Sequence, residues 1–312
     1  MTITIIAPSA FGYTSHIQRV LNEYDGVEAS ILYLDTPGFR YKNVGHKLQN
    51  FISKLFGKNL KKTFVFDRIQ KEITTIGKQD AIFIIRPDVL DNNTLQCIRA
   101  KTDNFIAYYY DSTRRFPRKL DIVNYFDTIY SYDKQDIKEN GFKLLTNYIF
   151  AESKTEAFDY QFFNISTNDH RFPLIENLAG YLKAKNWTYN IKVFNGTPMD
   201  AEHVEIITEH QSIEQVEQMI LKSKIIVEIQ RNDQIGLSFR IFEALGYRKK
   251  LITTNTDVVN YDFYNPQNIL VIDEHNIEIP EDFVNSPYVE IDNVILDKYR
   301  VKNWVKSIFG LQ

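Results

Sequence analysis

The sequence predicts an α/β protein built from two Rossmann-like, doubly wound domains in tandem. Three observations predict it. Short β-branched or apolar runs alternate with stretches of helical apolar spacing along the whole chain, the pattern of parallel strands joined by helices. A strand-loop-helix opening occurs twice, once from Thr2 and again from Phe162. A length of 312 residues, with 44% hydrophobic and 25% charged, is enough for two ordinary cores.

In the first half, Thr2–Ala7 supplies a strand, PSAFGY a loop with Gly12 in its turn, and Thr14–Tyr24 a helix. His16 falls in the first turn of that helix, either as a surface residue or as a group presented to a ligand. Ala29–Leu34 is the next strand. From Thr36 to Phe66 the chain carries Arg40, Lys42, Lys47, Lys54, Lys58, Lys61 and Lys62 and no acidic residue, while Leu48, Phe51, Ile52, Leu55 and Phe56 share one helical stripe. Such a helix either lies in the headgroup layer of an anionic membrane or packs its stripe on the domain's own sheet with the lysines solvated. Both readings stand on sequence alone.

A helix then runs through Ile73, Ala81–Ile85 reads as a buried parallel strand, Thr94–Arg99 as the returning helix and Phe105–Tyr110 as the next strand. Cys97, the single cysteine, lies between Leu95 and Ile98, which reads as core and excludes an internal disulfide. The strand ends at Asp111-Ser112-Thr113-Arg114-Arg115, where a carboxylate either takes a proton from a hydroxyl or caps the following turn. Arg114, Arg115, Arg118 and Lys119 form a basic cluster that holds a phosphate or is merely solvated. Strands at Asp127–Tyr132 and Lys143–Tyr148 flank a helix at Asp133–Glu139 that Gly141 ends.

The periodicity lapses near Phe150–Tyr160, where AESKTEAFD reads as a hinge dividing a domain of 1–152 from one of 153–295. Phe162–Ile165 opens the second domain, STNDHRF is its loop and Leu174–Ala184 its helix. Strands follow at Asn190–Phe194, Val204–Thr208 and Lys224–Glu228, with Ser212–Leu221 as the helix before the last. The most informative stretch is Gly236–Arg248, GLSFRIFEALGYR, with KKLITTN behind it. Leu237, Ile241, Ala244 and Leu245 fall at helical spacing directly after an apolar strand and a polar loop. Gly236 lets the backbone approach a ligand closely, and the first amides of the helix suit an anion. Arg240 and Glu243 share a helical face, either pairing with each other in solvent or gripping a diphosphate and the hydroxyls of a ribose. Asn255 ends the next strand, where it reads a base or sugar or forms a turn. Pro266 fixes the turn before an Asn268–Ile272 strand, and Asp297–Phe309 is amphipathic with Val301, Trp304, Val305 and Ile308 on one side.

The order of residues around Gly236, with Glu-Ala-Leu-Gly ending the helix, two basic residues and a strand closing Thr-Thr-Asn, resembles the donor-nucleotide segment of GT-B glycosyltransferases. With YDFYNPQNILVI at Tyr261–Ile272 and YYYDS in the first half, it looks most like the bacterial polysaccharide and lipopolysaccharide glycosyltransferases, of the CgeB-like and group 1-like kinds. The resemblance implies two Rossmann-like domains facing a cleft, with segment 296–312 crossing back onto the first as a helix. It implies a nucleotide-sugar donor held in the second domain by Arg171, Gly236, Leu237, Ser238, Arg240, Glu243 and Asn255. The first domain then presents the acceptor, with Asp111 and His16 as catalytic residues, Asp111 taking the acceptor proton and His16 on the loop that faces the acceptor. Gly12, Tyr13, Arg114, Arg115, Lys54, Lys58, Lys61 and Lys62 lie on the acceptor or membrane side. Two departures stand out. Ile235 replaces the first of the two glutamates of many retaining members, and Asn164 and Ser166 stand where the family usually has glycine.

Several function classes lose support. A net charge of -3 argues against nucleic-acid binding, and the absence of GxGxxG, paired CxxC, HExxH and GxSxG leaves dinucleotide enzymes, metal hydrolases and serine hydrolases without a motif. No apolar run approaches the roughly 20 residues of a membrane span, and the start lacks a charged leader, so a cytoplasmic protein is expected, free or peripheral on the inner face of the membrane. The expected activity is transfer of a sugar from a nucleotide-diphosphate donor to a hydroxyl of a surface glycan or lipid-linked precursor. No cofactor or metal is expected, because a helix dipole and arginines can neutralise the departing diphosphate. A non-catalytic subunit that binds glycan or a partner enzyme, and a nucleotide-sugar epimerase, are the alternatives.

Overall fold

The computed structural model describes residues 1–9, 12–36, 38–55, 59–153, 157–233 and 235–312. The chain divides into two compact units, Met1–Leu145 with Val305–Gln312, and Thr146–Trp304. Each is a parallel sheet of six strands among the described residues, with helices packed against it.

The first unit runs β1 (Thr2–Ala7), α1 (Tyr13–Leu21), β2 (Glu28–Tyr33), α2 (Val44–Leu55), α3 (Leu60–Thr75), β3 (Ala81–Ile85), α4 (Asn92–Arg99), β4 (Phe105–Tyr109), α5 (Arg118–Asp121), β5 (Thr128–Ser131), α6 (Lys134–Asn140) and β6 (Lys143–Leu144). Its strand order is β2-β1-β3-β4-β5-β6, so the direction of winding reverses between β1 and β3. β3 and β4 are buried at every residue, which is why they read as unbroken apolar runs rather than alternating ones. Ile82, Ile84, Phe105 and Ala107 face Ile69 and Ile73 of α3 and Leu95 and Ile98 of α4. Phe83 instead meets Phe309, ring centroids 5.8 Å apart. Gly141, at φ 71, closes α6 in the left-handed conformation its position demands. Cys97 departs from expectation: it is exposed, because α4 turns Thr94, Leu95 and Ile98 inward and leaves the position between them on the outer side.

The second unit runs β7 (Tyr160–Thr167), α7 (Phe172–Ala184), β8 (Tyr189–Phe194), β9 (Glu205–Ile207), α8 (Ile213–Leu221), β10 (Ser223–Glu228), α9 (Phe239–Gly246), β11 (Lys250–Thr253), β12 (Ile269–Val271), α10 (Glu281–Asn285) and α11 (Asn293–Asp297); α12 (Val301–Phe309) follows across the boundary. The order β12-β11-β10-β7-β8-β9 is the dinucleotide-fold order, with its switch point between β7 and β10. Successive residues serve opposite faces. Phe162 joins Ile225 and Val227 under α7, and Phe163 joins Ile226 and Leu251 under α9. A Cβ added to Gly246 would clash with the Ala151 carbonyl oxygen, so only glycine lets α9 end this close to that backbone.

Two boundaries differ from the sequence reading for one reason. Ile149 donates its amide to the Tyr299 carbonyl at 2.7 Å and accepts from the Val301 amide at 2.9 Å. That exchange draws the chain out of the first sheet after Leu144, and it interrupts the helix expected over Asp297–Phe309 into α11 and α12.

Candidate functional site

The switch point of the second unit gathers most of the residues singled out for the donor. The loop after β7 brings Asp169 beneath Arg171, which donates from Nε to Oδ1 at 2.9 Å and from Nη2 to Oδ2 at 2.9 Å. Arg231, after β10, donates from Nη1 to the same Oδ2 at 2.7 Å, and Arg171 Nη1 reaches the Ile229 carbonyl at 3.0 Å. The two strand ends are thereby stitched together through one carboxylate. Burial pushes the Asp169 carboxyl up, but the hydrogen bonds and charge of Arg171, with Arg231, outweigh it and bring it down to about 2. Asp233 lies 3.3 Å from Arg231 on the far side.

The following loop is fixed through its carbonyls. Asn255 Nδ2 donates to the Ile235 carbonyl at 3.2 Å, Gln230 Nε2 to that of Gly236 at 3.3 Å and Asn147 Nδ2 to that of Leu237 at 2.9 Å. Leu237 itself is buried, and the other end of Asn255 caps the next turn, accepting from the Asp257 amide at 2.9 Å. The helix begins at Phe239, later than the Gly236 start read from the sequence, with Ser238 as its N-cap residue. Ser238 does not cap with its side chain. Its hydroxyl donates instead to Glu228 Oε1 at 3.0 Å, while the Thr253 hydroxyl donates to Oε2 at 2.6 Å. Burial raises the Glu228 carboxyl, and those two hydroxyls pull it back in part. The first turn of α9 therefore carries the partial positive charge of a helix start without a side-chain oxygen of its own N-cap against it. Arg240 and Glu243 are an ion pair, with Glu243 buried rather than in solvent. Beyond β10, β11 and β12 opens a pocket of about 540 Å³, walled by Gln230, Arg231, Ile235, Asn255, Val271 and Asp273 among others.

In the first unit, Gly12 stands at φ 99, a left-handed start to α1 that only glycine adopts cheaply, and Tyr13 is the first helical residue. His16 is half-buried in that first turn, 3.3 Å from Arg19 through Nδ1. Burial first, and Arg19 second, hold its pKa below the ordinary value, which keeps the ring neutral. Asp111 stands just beyond β4 as expected, but it is engaged: Arg115 Nη1 donates to it at 2.6 Å and Arg86 lies 3.8 Å away. The basic cluster after it is not a solvated patch. Lys119 is fully buried with its ammonium on the Asp111 carbonyl, and Arg118 ties down the Asp88 and Leu90 carbonyls. Arg114 lies 3.6 Å from buried Asp133. Lys61 and Lys62 border a pocket of about 500 Å³ with Arg86, Phe66, Val65 and Tyr110. Lys54 is exposed near the end of α2, while Lys58 and Phe56 lie outside the described residues.

No protein-family model matches the sequence, and no curated protein matches it. Solved structures do. The UDP-GlcNAc 2-epimerase of Neisseria meningitidis, bound to UDP-GlcNAc, is 11% identical with a TM-score of 0.54, covering 99% of this chain and 98% of that one. The UDP-GlcNAc 2-epimerase of Methanocaldococcus jannaschii, in complex with UDP-GlcNAc and UDP, is 13% identical with a TM-score of 0.49 over 99% of each chain. A glycosyltransferase from Streptomyces nogalater is 10% identical with a TM-score of 0.41, over 98% of this chain and 95% of that one. The architecture is that of the GT-B fold. At such identities the likeness is one of fold.

Sequence reasoning missed Asp169, Arg231 and Glu228. Asp169 sits two residues before Arg171 inside STNDHRF, and Arg231 and Glu228 bracket the end of β10, so their places at a strand terminus were the available signal. What was not available was the pairing across the switch point. Among the described residues, no group of three or more His, Cys, Asp or Glu is arranged to hold a metal ion, and no helix is long and apolar enough to cross a membrane.

Proposed function

We propose that this protein transfers a sugar from a nucleotide-diphosphate donor to a hydroxyl of a bacterial surface glycan or lipid-linked precursor, working in the cytoplasm at the inner face of the membrane. The observation that carries the reading is the start of α9, which has no side-chain cap and follows the switch-point strand β10 through a loop whose Gln230, Arg231 and Ile235 wall the 540 Å³ pocket. In this reading the nucleoside occupies the pocket and the diphosphate rests on the first amides of α9. Arg240 exchanges part of its hold on Glu243 for a phosphate oxygen, and Glu243 accepts from the ribose hydroxyls. Arg171 and Arg231, already clustered on Asp169, add positive charge as the diphosphate departs, so no divalent ion is required.

The first unit supplies the acceptor and the base. The acceptor oxygen attacks the anomeric carbon as the bond to the diphosphate breaks, and the hydroxyl proton passes to the base. We take His16 rather than Asp111 as that base because burial favours its neutral ring, each group having an arginine beside it, Arg19 and Arg115 respectively. Calorimetry with a panel of nucleoside diphosphates tests the donor reading: one of them should bind, and binding of none would leave a non-catalytic glycan- or partner-binding subunit. A nucleotide-sugar epimerase is the second reading, favoured by the near-complete overlap with the Neisseria enzyme. Proton NMR of the protein with candidate donors and no acceptor separates the two, since a C2-inverted sugar nucleotide formed without acceptor would overturn transfer.

A further inference from the structure

Helix α2 is built inside out. On a soluble helix the apolar stripe faces the core and the polar residues face water. Here Val44, Leu48, Phe51 and Ile52, spaced along one side, are 83%, 59%, 64% and 48% exposed. The opposite side carries His46, Asn50 and Ser53, and it is this polar side that meets the protein. Asn50 is 1% exposed, donating to the Tyr41 hydroxyl at 2.7 Å and accepting the Leu60 amide at 2.8 Å. The helix is thus fastened by its polar stripe to the segment before it and to the first residue of α3, while its apolar stripe is turned outward. The sequence left open whether that stripe packs on the domain's own sheet; Leu48, Phe51 and Ile52, its members with described side chains, do not.

We propose that α2 is an interfacial anchor that lays Val44, Leu48, Phe51 and Ile52 into the headgroup and acyl boundary of an anionic bilayer. Charge complementarity selects that occupant. Residues 36–66 contain no aspartate or glutamate, and Arg40, Lys42, Lys47, Lys54, Lys61 and Lys62 lie before, within and after the helix that carries the apolar stripe. A purely basic segment that exposes an apolar stripe matches lipid phosphates over acyl chains, and a self-association face on so basic a segment would repel its own copy. Lys61 and Lys62, at the start of α3, also border the first unit's pocket, so docking would bring that pocket to the headgroup layer. The inference is independent of the donor reading, because nucleotide binding and vesicle binding are measured separately.

Flotation of the full chain with phosphatidylcholine vesicles containing about a third phosphatidylglycerol tests it. The protein should float with these vesicles, less with phosphatidylcholine alone, and less as salt rises. Leu48→Asn with Phe51→Asn should lower recovery by roughly tenfold or more without changing the melting temperature, since both side chains are already in water. Lys47→Glu with Lys54→Glu should lower it on the anionic vesicles. A wild-type chain that stays at the bottom of the gradient, or apolar variants that float undiminished, would overturn the anchor. Should the double variant misfold, Phe51→Trp reports instead: its emission should shift to the blue on adding anionic vesicles, and an unmoved spectrum refutes insertion. Sedimentation without lipid covers the other occupant, for a dimer abolished by the Leu48 and Phe51 changes, in a chain that ignores vesicles, would assign the face to a second copy.

Discussion

Single side chains decide the chemistry proposed for this protein, and each makes a separate prediction. A histidine held below its ordinary pKa stays an acceptor of protons to lower pH, so the acid limb of the transfer rate should fall below the usual imidazole value. The sign follows directly: activity is full where His16 is neutral and is lost as pH drops through the depressed pKa. His16→Gln should reduce kcat by about 10²–10⁴-fold and remove that limb from the pH profile, with nucleotide affinity unchanged in calorimetry. If Asp111→Asn does so instead, the base has been misassigned. Arg240→Ala should weaken nucleoside diphosphate binding by about 1.5–3 kcal/mol in the same titration, the range for a hydrogen bond to a charged group. Part of that loss reports Glu243 left buried without its partner, so Arg240→Lys, which keeps the charge and loses the fork, separates the two effects.

Elements depend on contacts that a one-dimensional pattern only hints at. Helix α9 was recognisable because Leu237, Ile241, Ala244 and Leu245 fall at helical spacing, and Ile241, Phe242 and Leu245 are indeed in the core. Its true start at Phe239 was not, because Ser238 spends its hydroxyl on Glu228, a partner ten residues earlier in the chain. Its end shows the converse. Alanine normally favours a helix over glycine by about 1 kcal/mol, yet Gly246→Ala should destabilise by about 1–3 kcal/mol in chemical denaturation, since the new methyl meets a backbone oxygen that cannot swing aside. Gly180→Ala meets only the His203 ring at 2.8 Å, a side chain able to turn, and should cost less. α2 went unresolved from sequence for a similar reason, as periodicity gives a stripe but not the side on which the protein lies.

The chain folds into two parallel sheets of different winding, and that difference bears on the proposed function. The second sheet has the order of dinucleotide folds, and its switch point falls where the residues proposed to hold the donor collect. A nucleoside diphosphate bound there should raise thermal stability as its concentration exceeds the dissociation constant, by about 2.7 kcal/mol at a hundredfold excess. Differential scanning fluorimetry would read this as a concentration-dependent shift that Arg240→Ala diminishes. The alternation of strand and helix, the doubly wound class and the helix that follows Gly236 were all readable from residue order, because hydrophobic period and turn chemistry are local. Partnership was decided only in three dimensions. Asp169 clasped by Arg171 and Arg231, Asp111 taken by Arg115, Lys119 buried and α2 facing outward all join or turn residues that spacing leaves independent. Burial and charge pairing are properties of neighbours in space, and the chain fixes those neighbours only by folding.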